Sequence, residues 1–177
     1  MAENGSLEKV EPLWFSLDAV VLRADTRVFR VFAAILRAQS SVFADMFTFP
    51  QQMETMDGIS VVKLHDNPDD KRLQLLTCLN SFFVPPPANP EFGHIIGILR
   101  LSHKYNVPYL RRRALDHLGT MYPMSLLHFD CTLAEGPQHW IPSTVFAVLR
   151  VCEEVGAPWL LPAAYHCLCQ LLIAVLV

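Results

Sequence analysis

Histidine and cysteine are the residues best suited to chemistry here, as metal ligands, nucleophiles or proton carriers, and the chain holds seven of one and five of the other. The histidines stand at 65, 94, 103, 117, 128, 139 and 166. They form no HExxH pair, and the cysteines form no CxxC pair; these are the spacings that bring two metal ligands to one place. The G-x-S-x-G turn that would expose a serine nucleophile is also missing from the sequence. Cys167 and Cys169 point to different sides of a helix, while His166 with Cys169 supplies at most two ligands on one face. Glycines are few and contain neither GxGxxG nor a Walker loop, so a nucleotide has no cradle. His65, Asp66 and His103 are the residues an unsigned enzyme site would have to use. The expectation is no catalytic, cofactor or metal site, with surface imidazoles and with Cys78, Cys131, Cys152, Cys167 and Cys169 as reduced, buried thiols. Arg111, Arg112 and Arg113 fan over about 200° of a helix, so one stem should pack at the core edge with its guanidinium reaching outward. With a net charge of −3, the run reads as a solvated face, and nucleic acid is not an expected partner.

The elements that would position these residues follow from patterning. Residues 1 to 12 are polar and expected to be disordered, with order starting at Leu13, Trp14 and Phe15. The stretch 19 to 24 and Val28, Phe29 and Val31 read as a β-hairpin broken at Asp25-Thr26. A helix over 33 to 39 is interrupted by Ser40 and Ser41, either able to cap the helix that follows. A loop with Asp57-Gly58 leads to a third strand, ISVVKL. Helices are predicted from about 68 to 83 and from about Glu91, the second ending at Asn106 with Pro108 opening the next. Residues 122 to 143 read as a linker. Residues 144 to 177 read as a helical hairpin whose first helix closes at Gly156.

The chain also echoes itself. LRLSHKYNVPYLRRRALDHL (99 to 118) aligns without gaps to LRVCEEVGAPWLLPAAYHCL (149 to 168). Asn106 and Gly156 occupy the same place, each suited to a helix C-cap and each followed by proline and an aromatic. Two units with similar local geometry are implied, not a repeat array.

The strand and helix order, with the blocks VFRVFAAILRAQSSVFADMF, VVKLHD and LRLSHKYNVPYLRRRALDHL, resembles the BTB/POZ family over about residues 14 to 120. FFVPPP and ILRLSHKYNVPYLRRRAL look like the expanded BTB group of mushroom-forming fungi. Phe32 stands where that family usually has histidine, and Leu101 or Ser102 where it has alanine. The resemblance implies an α+β fold, a small three-stranded sheet flanked by helices over residues 13 to 121, with the hairpin as a C-terminal extension. It also implies a homodimer through the first strand and first helix, for which Leu13, Trp14, Phe15, Phe32 and Ile35 are the expected interface. The function expected is a protein-interaction scaffold or adaptor.

A cullin-binding substrate adaptor is the alternative that the resemblance suggests. Phe82, Phe83, Glu91 and Tyr105 would form its partner surface, although the residue two before Glu91 is the polar Asn89. The stretch from Trp159 to Val177 carries no formal charge, which raises a membrane-anchored scaffold. Pro162, His166 and Gln170 make it poor spanning material, so the expectation is a helix packed on the preceding one or, in its absence, an exposed patch that favours association. An acidic N-terminus without an apolar run points to the cytoplasm or nucleus.

Overall fold

Branched and aromatic residues gather in short runs separated by turn formers, and each run becomes a strand. The computed structural model describes residues 8–14, 19–48, 54–65, 90–125 and 141–176. The helix expected over 68 to 83, together with Phe15, Phe82, Phe83, Cys78 and Cys131, lies outside them.

The strands are β1 (Glu8–Trp14), β2 (Ala19–Ala24), β3 (Arg27–Phe32), β4 (Thr55–Met56) and β5 (Ile59–Leu64). The three strands expected from the sequence are the centre of a wider mixed sheet in the order β1-β3-β2-β5, extended by the two-residue β4. Thus the three-stranded expectation is corrected by two edge strands, and the chain is already a strand from Glu8, ahead of Leu13. β1 runs parallel to β3 with a register shift between Lys9 and Trp14, and its proline is tolerated because edge positions need not donate. β2 and β3 form an antiparallel hairpin whose turn places Asp25 at φ 53, a left-handed conformation that aspartate accepts. At the other edge Asp57 and Gly58 both take positive φ, the geometry that lets a two-residue loop follow the strand twist and pair β4 with β5.

The helices are α1 (Ala33–Gln39), α2 (Ser41–Thr48), α3 (Phe92–Lys104), α4 (Pro108–Met121), α5 (Pro142–Glu154) and α6 (Leu161–Leu176), with a 3-10 turn at Pro158–Leu160 before α6. They fall into two units. The first holds Met1–Pro85 and Leu101–Leu110, and the second holds Pro86–Arg100 and Arg111–Val177.

In the first unit β2 and β5 lie side by side in parallel, and the intervening chain carries α1 and α2. Leu22, Phe29, Val31 and Val62 are buried, as are Leu36 of α1 and Phe43 of α2. Ser40 joins the two helices. Its amide N–H donates to the Leu36 carbonyl, and its Oγ accepts from the Phe43 amide at 3.0 Å, so Ser40 rather than Ser41 caps α2. The same hydroxyl donates to the Tyr105 carbonyl, while the Tyr105 ring stacks on Phe43 at 4.7 Å.

In the second unit α5 and α6 form the expected hairpin. Taken each by itself, the two sequence echoes share backbone chemistry, the turn of the first lying in the first unit and that of the second in the second. The Val107 amide donates to the Ser102 carbonyl and the Ala157 amide to the Cys152 carbonyl, each at 2.8 Å, around Asn106 at φ 47 and Gly156 at φ 64. This is the helix ending that a left-handed residue makes possible. From 101 to 112 and from 151 to 162 the sequence of buried and exposed positions is the same.

Candidate interaction surfaces

Strand pairing decides which side chains share a face. Residues opposite one another on neighbouring strands point to the same side, so Trp14 beside Arg30, Val21 opposite Arg30, and Ala19 opposite Phe32 all belong to one face of the sheet. Val21, Val28 and Val61 form its apolar centre, and the partly buried Trp14, Met56 and Ile59 pack on them. Lys9 lies over the Trp14 ring at 4.7 Å and Arg30 at 6.0 Å, a cation-π pairing that shields the indole while leaving it at the surface. Phe32 and, on α1, Ile35 are half-buried. The structure therefore brings Trp14 and Phe32 to one face; Leu13 lies in β1, and Phe15 is outside the described residues.

Charge borders this face. Glu54 accepts from Arg23 at 3.0 Å and Lys63 at 2.7 Å, and the Lys63 ammonium first, then Arg23, holds its carboxyl below the ordinary value. All three are open to solvent, so the cluster sets local charge balance and contributes little to stability.

The second surface belongs to the C-terminal hairpin. Large apolar side chains exposed to solvent include Ile141, Phe146, Trp159, Tyr165, Leu172 and Ile173, all on or beside α5 and α6. Tyr165, Cys169, Leu172 and Ile173 recur at helical spacing on one side of α6. On its other side Cys167 is buried, as is Cys152 of α5. Burial pushes the Cys152 thiol up to about 11 and the Cys167 thiol up to about 12. Tyr122 lies close enough to both to feel their charge, and burial pushes its phenol up to about 12. These groups stay protonated at neutral pH, which suits inert packing rather than nucleophilic work.

Other expected site residues fall elsewhere. Tyr105, expected on a partner surface, is only 3% exposed, because its ring is taken up by Phe43. Glu91 is exposed, while Phe82 and Phe83 lie outside the described residues. His117 is buried, against the expectation of surface imidazoles, whereas His65, His94, His103 and His166 are exposed. Tyr122, read as the start of a linker, is fully buried. Of the arginine run, Arg111 is half-buried as expected of a residue at the core edge, but its guanidinium does not reach outward: it donates to the Val155 carbonyl at 2.9 Å. Arg112 is exposed. Among the described residues no three His, Cys, Asp or Glu side chains gather closely enough to hold a metal. No described helix is long and apolar enough to cross a membrane.

Sequence alone left open whether the C-terminal helix packs or exposes a patch, and it did not single out Phe146, Tyr165 and Leu172, because they sit in helices whose apolar content reads as core. Of these only Tyr165 lies within the internal echo, where its counterpart Leu115 is more covered. No protein-family model matches this sequence, and comparison with curated proteins finds no match.

Proposed function

We propose that this chain works by binding proteins, as a self-associating scaffold or adaptor of the BTB/POZ type that its sequence blocks resemble. The observation that carries the reading is the placement of Trp14 and Phe32 on one face of the sheet, around an apolar centre and only half-covered. An apolar strip held on strands is rigid before binding, so association costs little ordering of the backbone. Its partner in this reading is the same face of a second copy, with Ile35 of α1 at the margin.

Sedimentation equilibrium of Phe32→Asp against the parent tests this. Full burial of a phenylalanine is worth roughly 1.5–3 kcal/mol, so its loss should weaken dimerisation by roughly ten- to a hundredfold. A variant that keeps its melting temperature and an unchanged dimerisation constant would remove this face from the assignment.

A further inference from the structure

Strand register sorts the charges of the sheet by face. β2, β3 and β5 hold Arg23, Arg27, Arg30 and Lys63 and no Asp or Glu. Lys9 stands opposite Val28, Val28 opposite Arg23, and Arg23 opposite Lys63, so three cations share one row across four strands. Arg30 lies in the next row, between Trp14 and Val21. Lys9, Arg23, Lys63 and Arg30 are therefore on the Trp14 and Phe32 face, while Arg27, opposite Ala24, is on the other. Among the described residues the carboxylate that meets the row is Glu54, which Arg23 and Lys63 share at 3.0 and 2.7 Å. Asp25 and Asp57 stand in the turns at the two ends of the strands. Lys9, Arg23 and Lys63 against Glu54 leave the row two positive charges, on a chain whose formal net charge is −3.

These charges cannot stand aside when the face is covered. The Lys9 ammonium is 4.7 Å from the Trp14 ring centre and the Arg30 guanidinium 6.0 Å, so a surface that buries the indole takes both cations with it. Two sheets stacked face to face lie about 10 Å apart. The row of one copy then comes within about one to two Debye lengths of the other's at physiological salt. Two positive charges facing two at about 10–14 Å in water repel enough that raising salt from about 25 to about 300 mM should strengthen association roughly two- to threefold.

We propose that charge on this face holds self-association in check: the copies repel through their rows of Lys9, Arg23 and Lys63, and ionic strength sets how tightly they meet. The inference rests on the reading of this face as the self-association surface and names what regulates it. Its mark is a dimer that tightens as salt rises, the reverse of association steered by opposite charges. Lys9 and Lys63 are exposed, so removing their charge lifts the repulsion and leaves the apolar contact in place.

Sedimentation equilibrium of the full chain, from about 25 to about 300 mM sodium chloride at neutral pH, tests this beside a variant that combines Lys9→Gln and Lys63→Gln. The parent's association constant should rise roughly two- to threefold over the series. In the double variant Arg23 and Glu54 balance each other, so the rise should disappear and the low-salt constant should match the parent's at high salt. A parent constant that is flat or falls with salt overturns the inference; if Phe32→Asp still weakens that dimer, the self-association reading stands. A double variant of native melting temperature that keeps the parent's rise overturns it too, by assigning the salt response to apolar burial. A chain that stays monomeric at every salt concentration, in both forms, overturns the inference together with the reading beneath it.

Discussion

Replacing Gly156 by alanine tests the correspondence between the two hairpins at its most constrained point. The residue sits at φ 64, and a Cβ built there meets nothing within 4 Å, so the whole cost is backbone strain and none of it a clash. Holding an L-residue in the left-handed region costs about 1–2 kcal/mol. Alanine also narrows the unfolded ensemble, which offsets roughly 0.4–1 kcal/mol of that. The net loss is about 1 kcal/mol, read in urea unfolding or as a fall of about 2–4 °C in melting temperature for a chain of this size. Gly156→Asn should cost less, because asparagine stands at the matching position with φ 47. Asn106→Gly should be close to neutral: it relieves strain but loses the 2.8 Å bond from Asn106 Nδ2 to Ser41 Oγ. If Gly156→Ala proves neutral or stabilising, the turn is not held in the left-handed region. The correspondence between residues 99–118 and 149–168 then loses its structural anchor.

Two further outcomes follow from the packing. Ser40→Ala removes the α2 cap and the donor to the Tyr105 carbonyl together, each worth about 1 kcal/mol; a total near 2 kcal/mol should appear in chemical unfolding, and a change within error would mean that the hydroxyl organises neither. The buried thiols and phenol predict a steep alkaline limb. Their folded values lie above the ordinary 9.0 for Cys152 and Cys167 and 10.0 for Tyr122, at about 11, 12 and 12. Below pH 9 all three are protonated in both states and the stability is whole. As pH rises from there toward 12 only the unfolded chain releases these protons, so stability falls, by about 1.4 kcal/mol per pH unit for each group in its window. Unfolding midpoints between pH 8 and 11 measure this, and Cys152→Ala with Cys167→Ala should flatten the slope; a parent as stable at pH 10.5 as at pH 8 refutes the burial argument.

Local chemistry made much of the fold legible. β2, β5 and α1 fall where β-branched runs and an alanine-rich stretch place them, and both hairpin caps were readable because left-handed Asn and Gly followed by proline leave few alternatives. β1 was not, because Glu8, Lys9, Glu11 and Pro12 have little strand preference of their own; the strand exists through its pairing with β3, a contact that no local window contains. The β4 turn was legible in principle, since Asp57-Gly58 is the residue pair that a two-residue hairpin favours, but its first strand is too short to announce itself. At the candidate surfaces the failures were of burial. Tyrosine and histidine can be comfortable inside or outside, and it took Phe43 beneath Tyr105 to decide one of them.

The same ambiguity explains why the exposed apolar side chains of the second hairpin are not recognised from amphipathic spacing. Amphipathic spacing locates Val145, Val148 and Cys152 on the buried side of α5, but it is silent on whether the opposite side meets water or protein. In α3 the position matching Phe146 holds a buried isoleucine, so a helix of this register can be covered on both sides. Substituting a bulkier aromatic where the first hairpin is covered, and tyrosine where it has leucine, enlarges the apolar area of the second hairpin instead of replacing it with charge. The exposed charges of α5 are Arg150, Glu153 and Glu154, and Arg150 pairs with Glu154 at 3.0 Å, so the apolar side chains of this helix are bordered by an ion pair satisfied within the chain.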